Sequence, residues 1–177
     1  ADKEAEAGTL LYRAALNGEA RRRAMFEKGK VPPPSAPTMA GSVDGETFSS
    51  ITDADPRIGA NLEAFVGGQY KLIPFEHLES VKIQKPTRLR DLLWIPAIIR
   101  ALPEHGGADI GEVLIPVLTP MAFEDEDPKV QLGRVTNFRE LDDGSAVPVG
   151  QKLWIVDDRE VALLEVRELS LVKPAQA

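Results

Sequence analysis

Apolar and polar positions fall into two textures along the chain. Over residues 1–30, Ala, Leu, Glu and Arg dominate and no proline occurs before Pro32, which predicts helix. Leu11, Ala14, Ala15 and Leu16, followed by Ala24, Met25 and Phe26, form a partial apolar stripe. Asn17-Gly18 either divides this stretch into two helices or marks a weak point in one, and Gly29 supplies a stop before the prolines. The run from Val31 to Pro37 holds four prolines, each with a fixed φ and no amide hydrogen, so it should be an extended, semi-rigid linker. The domain boundary is expected there, at 31–37.

From residue 38 the pattern becomes short apolar runs cut by Gly, Pro and Asp. Val43-Asp44-Gly45-Glu46 predicts a tight turn, because Asp-Gly tolerates positive φ. Phe48 to Ile51 reads as a short strand. Leu62–Val66 and Gln69–Ile73 flank Gly67-Gly68, a hairpin signal. Val81-Lys82-Ile83 alternates as a half-buried strand does. Leu93–Leu102 is apolar but contains Pro96, which predicts an edge strand or a bulge. Glu112–Leu118 and Arg134–Leu141 are further strands, and Lys152–Val156 with Val161–Val166 should form a last hairpin turning at Asp157-Asp158. The expected fold class is α+β. An N-terminal helix or helical hairpin (1–30) and a Pro-rich linker (31–37) lead into a mainly antiparallel β domain with short helices (38–177), built as a small twisted sheet or partial barrel.

Composition narrows the functions. The 177 residues suffice for a core without disulfides, burying about 70% of the unfolded surface. Cysteine is absent, which removes thiol catalysis and thiolate metal sites and fits a reducing compartment. A net charge of −7 argues against a general nucleic-acid binder. Residues 1–34 run the other way, with seven Lys/Arg against five Asp/Glu, mostly through Arg21, Arg22 and Arg23, which read as a solvated helix face. No apolar run reaches the ~20 residues of a membrane span, and no signal-peptide pattern opens the chain. The opening Ala1–Ala7 stretch has no initiator Met and consists of good helix formers, as expected of a C-terminal piece of a longer protein.

Candidate chemistry is sparse. Asp53 and Asp55, with Arg57 nearby, could bind a hard cation or serve as an acid/base pair, but the same residues serve equally as turn caps and an Asp–Arg lock. Pro56 and Ile58 supply none of the oxygens a calcium loop would need. Glu124-Asp125-Glu126-Asp127 reads as a solvated loop between Pro120 and Pro128. His77 and His105 stand outside any zinc or triad pattern, and no nucleophile elbow or phosphate loop occurs. No catalytic residue, cofactor or metal is expected. Trp94, Trp154, Tyr70 and Phe75 are the large anchors, for the core or for a partner.

Three segments recur in order: Asp53-Ala54-Asp55-Pro56-Arg57-Ile58-Gly59, then Gly68-Gln69-Tyr70-Lys71-Leu72-Ile73-Pro74-Phe75, then Arg90-Asp91-Leu92-Leu93-Trp94-Ile95-Pro96-Ala97. With Gly41–Gly45 and Leu114-Ile115-Pro116, they resemble the ImpE family (TagJ or SciE type) of type VI secretion accessory proteins. The likeness marks Asp53, Asp55, Arg57, Gly59, Tyr70, Pro74, Phe75, Arg90, Asp91, Trp94 and Pro96 as its motif positions. It implies a tetratricopeptide-like helical region before the linker, largely missing here. It also implies a non-catalytic cytoplasmic protein that binds a helix near the N-terminus of the small sheath subunit and so influences recruitment of the sheath-disassembly ATPase. A helix-binding groove would draw on Leu11, Leu16, Met25 and Phe26, or on the surface from Trp94 to Ile99 including Ile98, and an acidic domain would favour a basic helix. The competing expectations are a small hydrolase or metal-dependent enzyme using Asp53 and Asp55, and a scaffold that self-associates through an exposed sheet edge.

Overall fold

The computed structural model describes residues 2–27, 39–105 and 109–172, with side chains from residue 12 onward. The linker expected at 31–37 lies outside the described residues. Helix α1 (Asp2–Glu27) is continuous through Asn17-Gly18, so the break considered there does not form. Thirteen strands follow among the described residues. They are β1 (Ala40–Val43), β2 (Glu46–Phe48), β3 (Ile51–Asp53), β4 (Asn61–Val66), β5 (Gln69–Pro74), β6 (Leu78–Ile83), β7 (Trp94–Ala101), β8 (Asp109–Pro116), β9 (Thr136–Glu140), β10 (Ala146–Gly150), β11 (Leu153–Val156), β12 (Arg159–Ala162) and β13 (Glu168–Val172). Short 3-10 turns and a one-turn helix α2 (Pro128–Gln131) connect them.

Eight strands form one sheet in the order β2-β1-β13-β6-β7-β8-β4-β5, and β12-β11-β3 and β10-β9 make two smaller sheets. Every pairing between named strands is antiparallel. The main core lies on one face of the large sheet, where Leu62, Val81, Ile95, Ile99, Val113 and Leu169 meet Trp154 and Val156 of β11. Phe75 packs edge-on against Trp154, with ring centroids 5.9 Å apart.

Turn chemistry fixed the hairpins where the sequence marks them. Asp44 and Gly45 join β1 to β2 at φ +50° and +84°, and Gly67-Gly68 join β4 to β5 at +56° and +78°. The segment from Phe48 to Ile51 is not a single strand: Ser49 and Ser50 bend, separating β2 from β3. Both Ser49 and Ser50 amides donate to Asp157 Oδ1, at 2.9 and 3.0 Å, which stabilises that bend.

Strand β7 corrects the expectation that Pro96 places it at an edge, because it runs between β6 and β8. The Gln84 amide donates to the Pro96 carbonyl at 2.9 Å, one residue beyond the end of β6. A hydrogen-bonded pair normally exchanges two bonds, and proline makes the one that needs only a carbonyl. The missing donor thus falls where the neighbouring strand is ending. The register shift against β8, beside Ile99 and Arg100, puts its extra residue, Ile110, in β8 and not in β7.

Candidate binding site

The outer face of the large sheet is covered by α1 at the β4–β5 end. Ala15 is fully buried there against Phe65 and Leu114, with Tyr12, Tyr70 and Trp94 around them. The approach requires glycine on both sides. A methyl at Gly18 would come within 2.5 Å of the Phe65 ring, and one at Gly68 within 2.6 Å of the Ala14 methyl.

One turn further along the inward stripe comes Arg22, a fully buried guanidinium. Its Nε donates to Glu63 Oε1 at 2.7 Å, its Nη2 to Glu63 Oε2 at 3.1 Å and to the Leu118 carbonyl at 2.7 Å, and its Nη1 to Glu19 at 3.2 Å. Glu63, itself buried, also accepts from the Tyr70 hydroxyl at 2.7 Å and forms an ion pair with Lys152. Lys152 Nζ donates to Asp53 Oδ2 at 2.6 Å, and Asp53 Oδ1 accepts the Asp55 amide at 2.8 Å. Arg22, Glu63, Lys152 and Asp53 therefore alternate cation and anion, all four buried, with Glu19 joining Arg22 at the partly exposed end. Breaking such a set strands a buried charge, which is what makes it strong in consequence even where its net contribution is small.

Titration follows this geometry. Burial would raise Glu63, but Arg22 and Lys152 overcome it and hold its carboxyl down to about 2. Asp53 has Lys152 alone as a cationic partner and Glu63 as a neighbouring anion, so burial wins and its carboxyl is pushed up to about 6. Lys152 and Arg22 are both raised despite burial, because the carboxylates beside them favour the charged forms. The Tyr70 hydroxyl is raised, first by burial and then by Glu63.

Arg57, Arg90, Asp91 and Trp94 of the motifs also meet α1. Arg57 grips Asp55 through Nη2–Oδ2 at 2.6 Å and Nε–Oδ1 at 2.9 Å, and its guanidinium lies 4.8 Å from the Phe26 ring centroid. Arg90 stacks on Tyr12 at 3.9 Å, and the Tyr12 hydroxyl donates to Asp91 Oδ1 at 2.8 Å. The Asp91 Oδ2 oxygen accepts the Thr87 and Arg88 amides, both at 2.9 Å; against burial, these and Tyr12 hold its carboxyl below the usual range. Trp94 Nε1 reaches Glu19 at 3.4 Å. Gly59, at φ +60°, accepts the Asp53 amide at 2.8 Å, while Pro74 closes β5 ahead of buried Phe75.

Asp53 and Asp55 are thus occupied by backbone, lysine and arginine donors. His77 stacks on His105, with centroids 3.8 Å apart. Among the described residues no cluster of three or more His, Asp or Glu could hold a metal ion. In the acidic run, Asp127 caps α2 by accepting the Lys129 amide at 2.8 Å, and Glu124 lies 3.8 Å from Arg139.

Between α1 and the start of β7 runs an open groove of about 420 Å³, lined by Leu16, Ala20 and Ala24 on the helix and by Leu93, Trp94 and Leu118 opposite. Leu16 is 57% exposed there, whereas Phe26, expected as groove material, is buried under Arg57. Met25 is half-buried; Ile98 is exposed on the outer face of β7, and the Leu11 side chain lies outside the described residues.

The sequence model of the ImpE protein family matches residues 45–170, most of the chain. The chain belongs to the ImpE family. It is 38% identical over 135 residues, 76% of its length, to the type VI secretion system accessory component TagJ of Pseudomonas aeruginosa. This ImpE chain spans 45% of that relative, about half its length. A crystallised Vibrio parahaemolyticus protein, VPA1032, shares its fold with a TM-score of 0.68 at 24% identity, covering 78% of this chain and 50% of that one. No described helix is long and apolar enough to cross a membrane.

Three network members escaped the sequence reading, the first being Arg22, which is buried and not part of the solvated face expected of Arg21–Arg23. Glu63 shows itself only as one charge inside the apolar run Leu62–Val66, and Lys152 only as a charge just before Leu153-Trp154.

Proposed function

We propose that this ImpE chain is a non-catalytic accessory protein of a type VI secretion system, acting in the cytoplasm by binding the N-terminal helix of the small sheath subunit. The observation that carries the site is the open groove between α1 and β7. Leu16, Ala20 and Ala24 lie four residues apart on one face of α1, and alanines let an incoming helix approach closely. Leu93, Trp94 and Leu118 supply the opposite wall. An amphipathic helix with apolar residues at i, i+3/i+4 and i+7 fills such a trough. Glu19 and Glu27 line it together with Arg22 and Arg23, which pair with Glu19, so the preference for a helix carrying Lys or Arg rests on the net charge of −7. Holding that helix would bear on recruitment of the disassembly ATPase only indirectly, through access to the sheath subunit.

Fluorescence polarisation with a labelled peptide of that sheath helix tests the reading. Leu16→Asp should weaken binding by more than about tenfold, the effect of ~1.4 kcal/mol, while Ile98→Asp should leave it unchanged. Equal binding by wild type and Leu16→Asp removes the groove from the account. Loss only in Ile98→Asp moves the site to the outer face of β7. Absence of binding by the wild type overturns the sheath reading for this chain.

A further inference from the structure

Strand β9 forms an edge of the two-stranded sheet β10-β9, and all of its residues but Thr136 are exposed. The hydrogen-bond phase of β9 is set at both ends: the Leu141 amide donates to Ser145 O at 2.7 Å, and the Gln151 amide to Val135 O at 3.4 Å. Odd-numbered residues of β9 therefore spend their main-chain groups on β10, and the N–H and C=O of Thr136, Phe138 and Glu140 point away from it. Phe138, in the middle of this edge, is 51% exposed, and Leu132 and Val135 just before it are exposed as well. The two edges of the large sheet are managed differently: β5 lies under α1, and β2 is three residues long and tied to β12 by Arg159–Glu46 at 2.9 Å.

We infer that β9 pairs with β9 of a second copy of this chain, antiparallel about a two-fold axis at Phe138, joining two β10-β9 ribbons into one four-stranded sheet. The sequence around the axis is self-complementary. With Phe138 opposite itself, Thr136 faces Glu140, Val135 faces Leu141, Asn137 faces Arg139 and Arg134 faces Asp142. No like charges meet, and apolar residues meet apolar ones. Thr136, Phe138 and Glu140, whose main-chain groups are free, are also the residues that this register brings into hydrogen-bonded pairs. Shifting the register by one residue would face bonded groups with unbonded ones. Arg134 and Asp142 are both exposed, and neither has an ion-pair partner among the described residues. A contact of this size is at the small end for specific association, so the dimer is weak and concentration-dependent.

Sedimentation velocity on the whole chain over about 1 µM to 1 mM tests this. The wild type should move from a mass of 19.3 kDa toward twice that as concentration rises. Phe138→Asp sets two carboxylates face to face on the axis and should stay monomeric, with its melting temperature and sheath-peptide binding unchanged. Arg134→Asp should weaken the dimer several-fold, and Arg134→Asp combined with Asp142→Arg should restore it. A wild type monomeric throughout, or a dimer indifferent to Phe138→Asp, overturns the inference. A double reversal no better than the single one overturns the register.

Discussion

At the residue scale, the side chain that matters most is the one whose neighbours disguise it. Arg21-Arg22-Arg23 reads as a solvated basic patch, yet consecutive helical residues point about 100° apart and cannot share a face. Arg22 is in phase with Ala15, Gly18 and Phe26, and that stripe is the buried one. The signal was present in the spacing; what concealed it is that an arginine inside is rare unless paired, and its partner Glu63 is 41 positions away. Removing the guanidinium leaves Glu63 with Lys152 alone, so Arg22→Met should cost roughly 3–5 kcal/mol in urea denaturation. The network also sets a pH signature. Glu63, held at about 2 against an ordinary 4.5, contributes stability that is complete above pH 4.5 and disappears as pH falls toward 2. Asp53, raised to about 6 from 3.8, takes up its proton more readily when folded, so its contribution improves as pH falls through 6 toward 3.8. Thermal melting should therefore hold or rise slightly from pH 7 to about 5 and drop below about 4.5. Asp53→Asn should remove the first limb and keep the second.

At the scale of elements, hairpins announced themselves and sheet order did not. Gly67-Gly68, Asp44-Gly45 and Asp157-Asp158 each state their turn, because positive φ restricts the choice of residue. Nothing local could say that β13 lies between β1 and β6, since pairing of distant strands leaves no mark in either one. Pro96 misled for a related reason: whether a missing donor matters depends on where the neighbouring strand stops. The seat of α1 gives a prediction that belongs here. Gly68 combines φ +78° with close approach to Ala14, so Gly68→Ala strains the turn and lifts the helix together. It should lower stability by about 1–3 kcal/mol. Limited proteolysis should then cleave within α1 faster, while the β domain keeps its near-ultraviolet signal.

For the molecule as a whole, the two textures of the sequence suggest separable parts, while the packing ties α1 to the sheet. Residues of all three recurring segments reach α1 or the charges beneath it: Asp53 and Arg57, Tyr70, and Arg90, Asp91 and Trp94. A chain starting at residue 39 would expose Phe65, Tyr70 and Leu114 together and leave Glu63 without its guanidinium. It should bind a hydrophobic dye such as ANS strongly and aggregate well below the melting temperature of the full chain.

The placement of β13 makes completion of the large sheet a long-range event. The β1–β2 ribbon joins the other strands of its sheet through β13 alone, although β1 and β13 lie far apart in sequence. Joining β1 to β13 must shut the longest loop in the sheet, so slow, chaperone-sensitive maturation is the outcome expected of this topology.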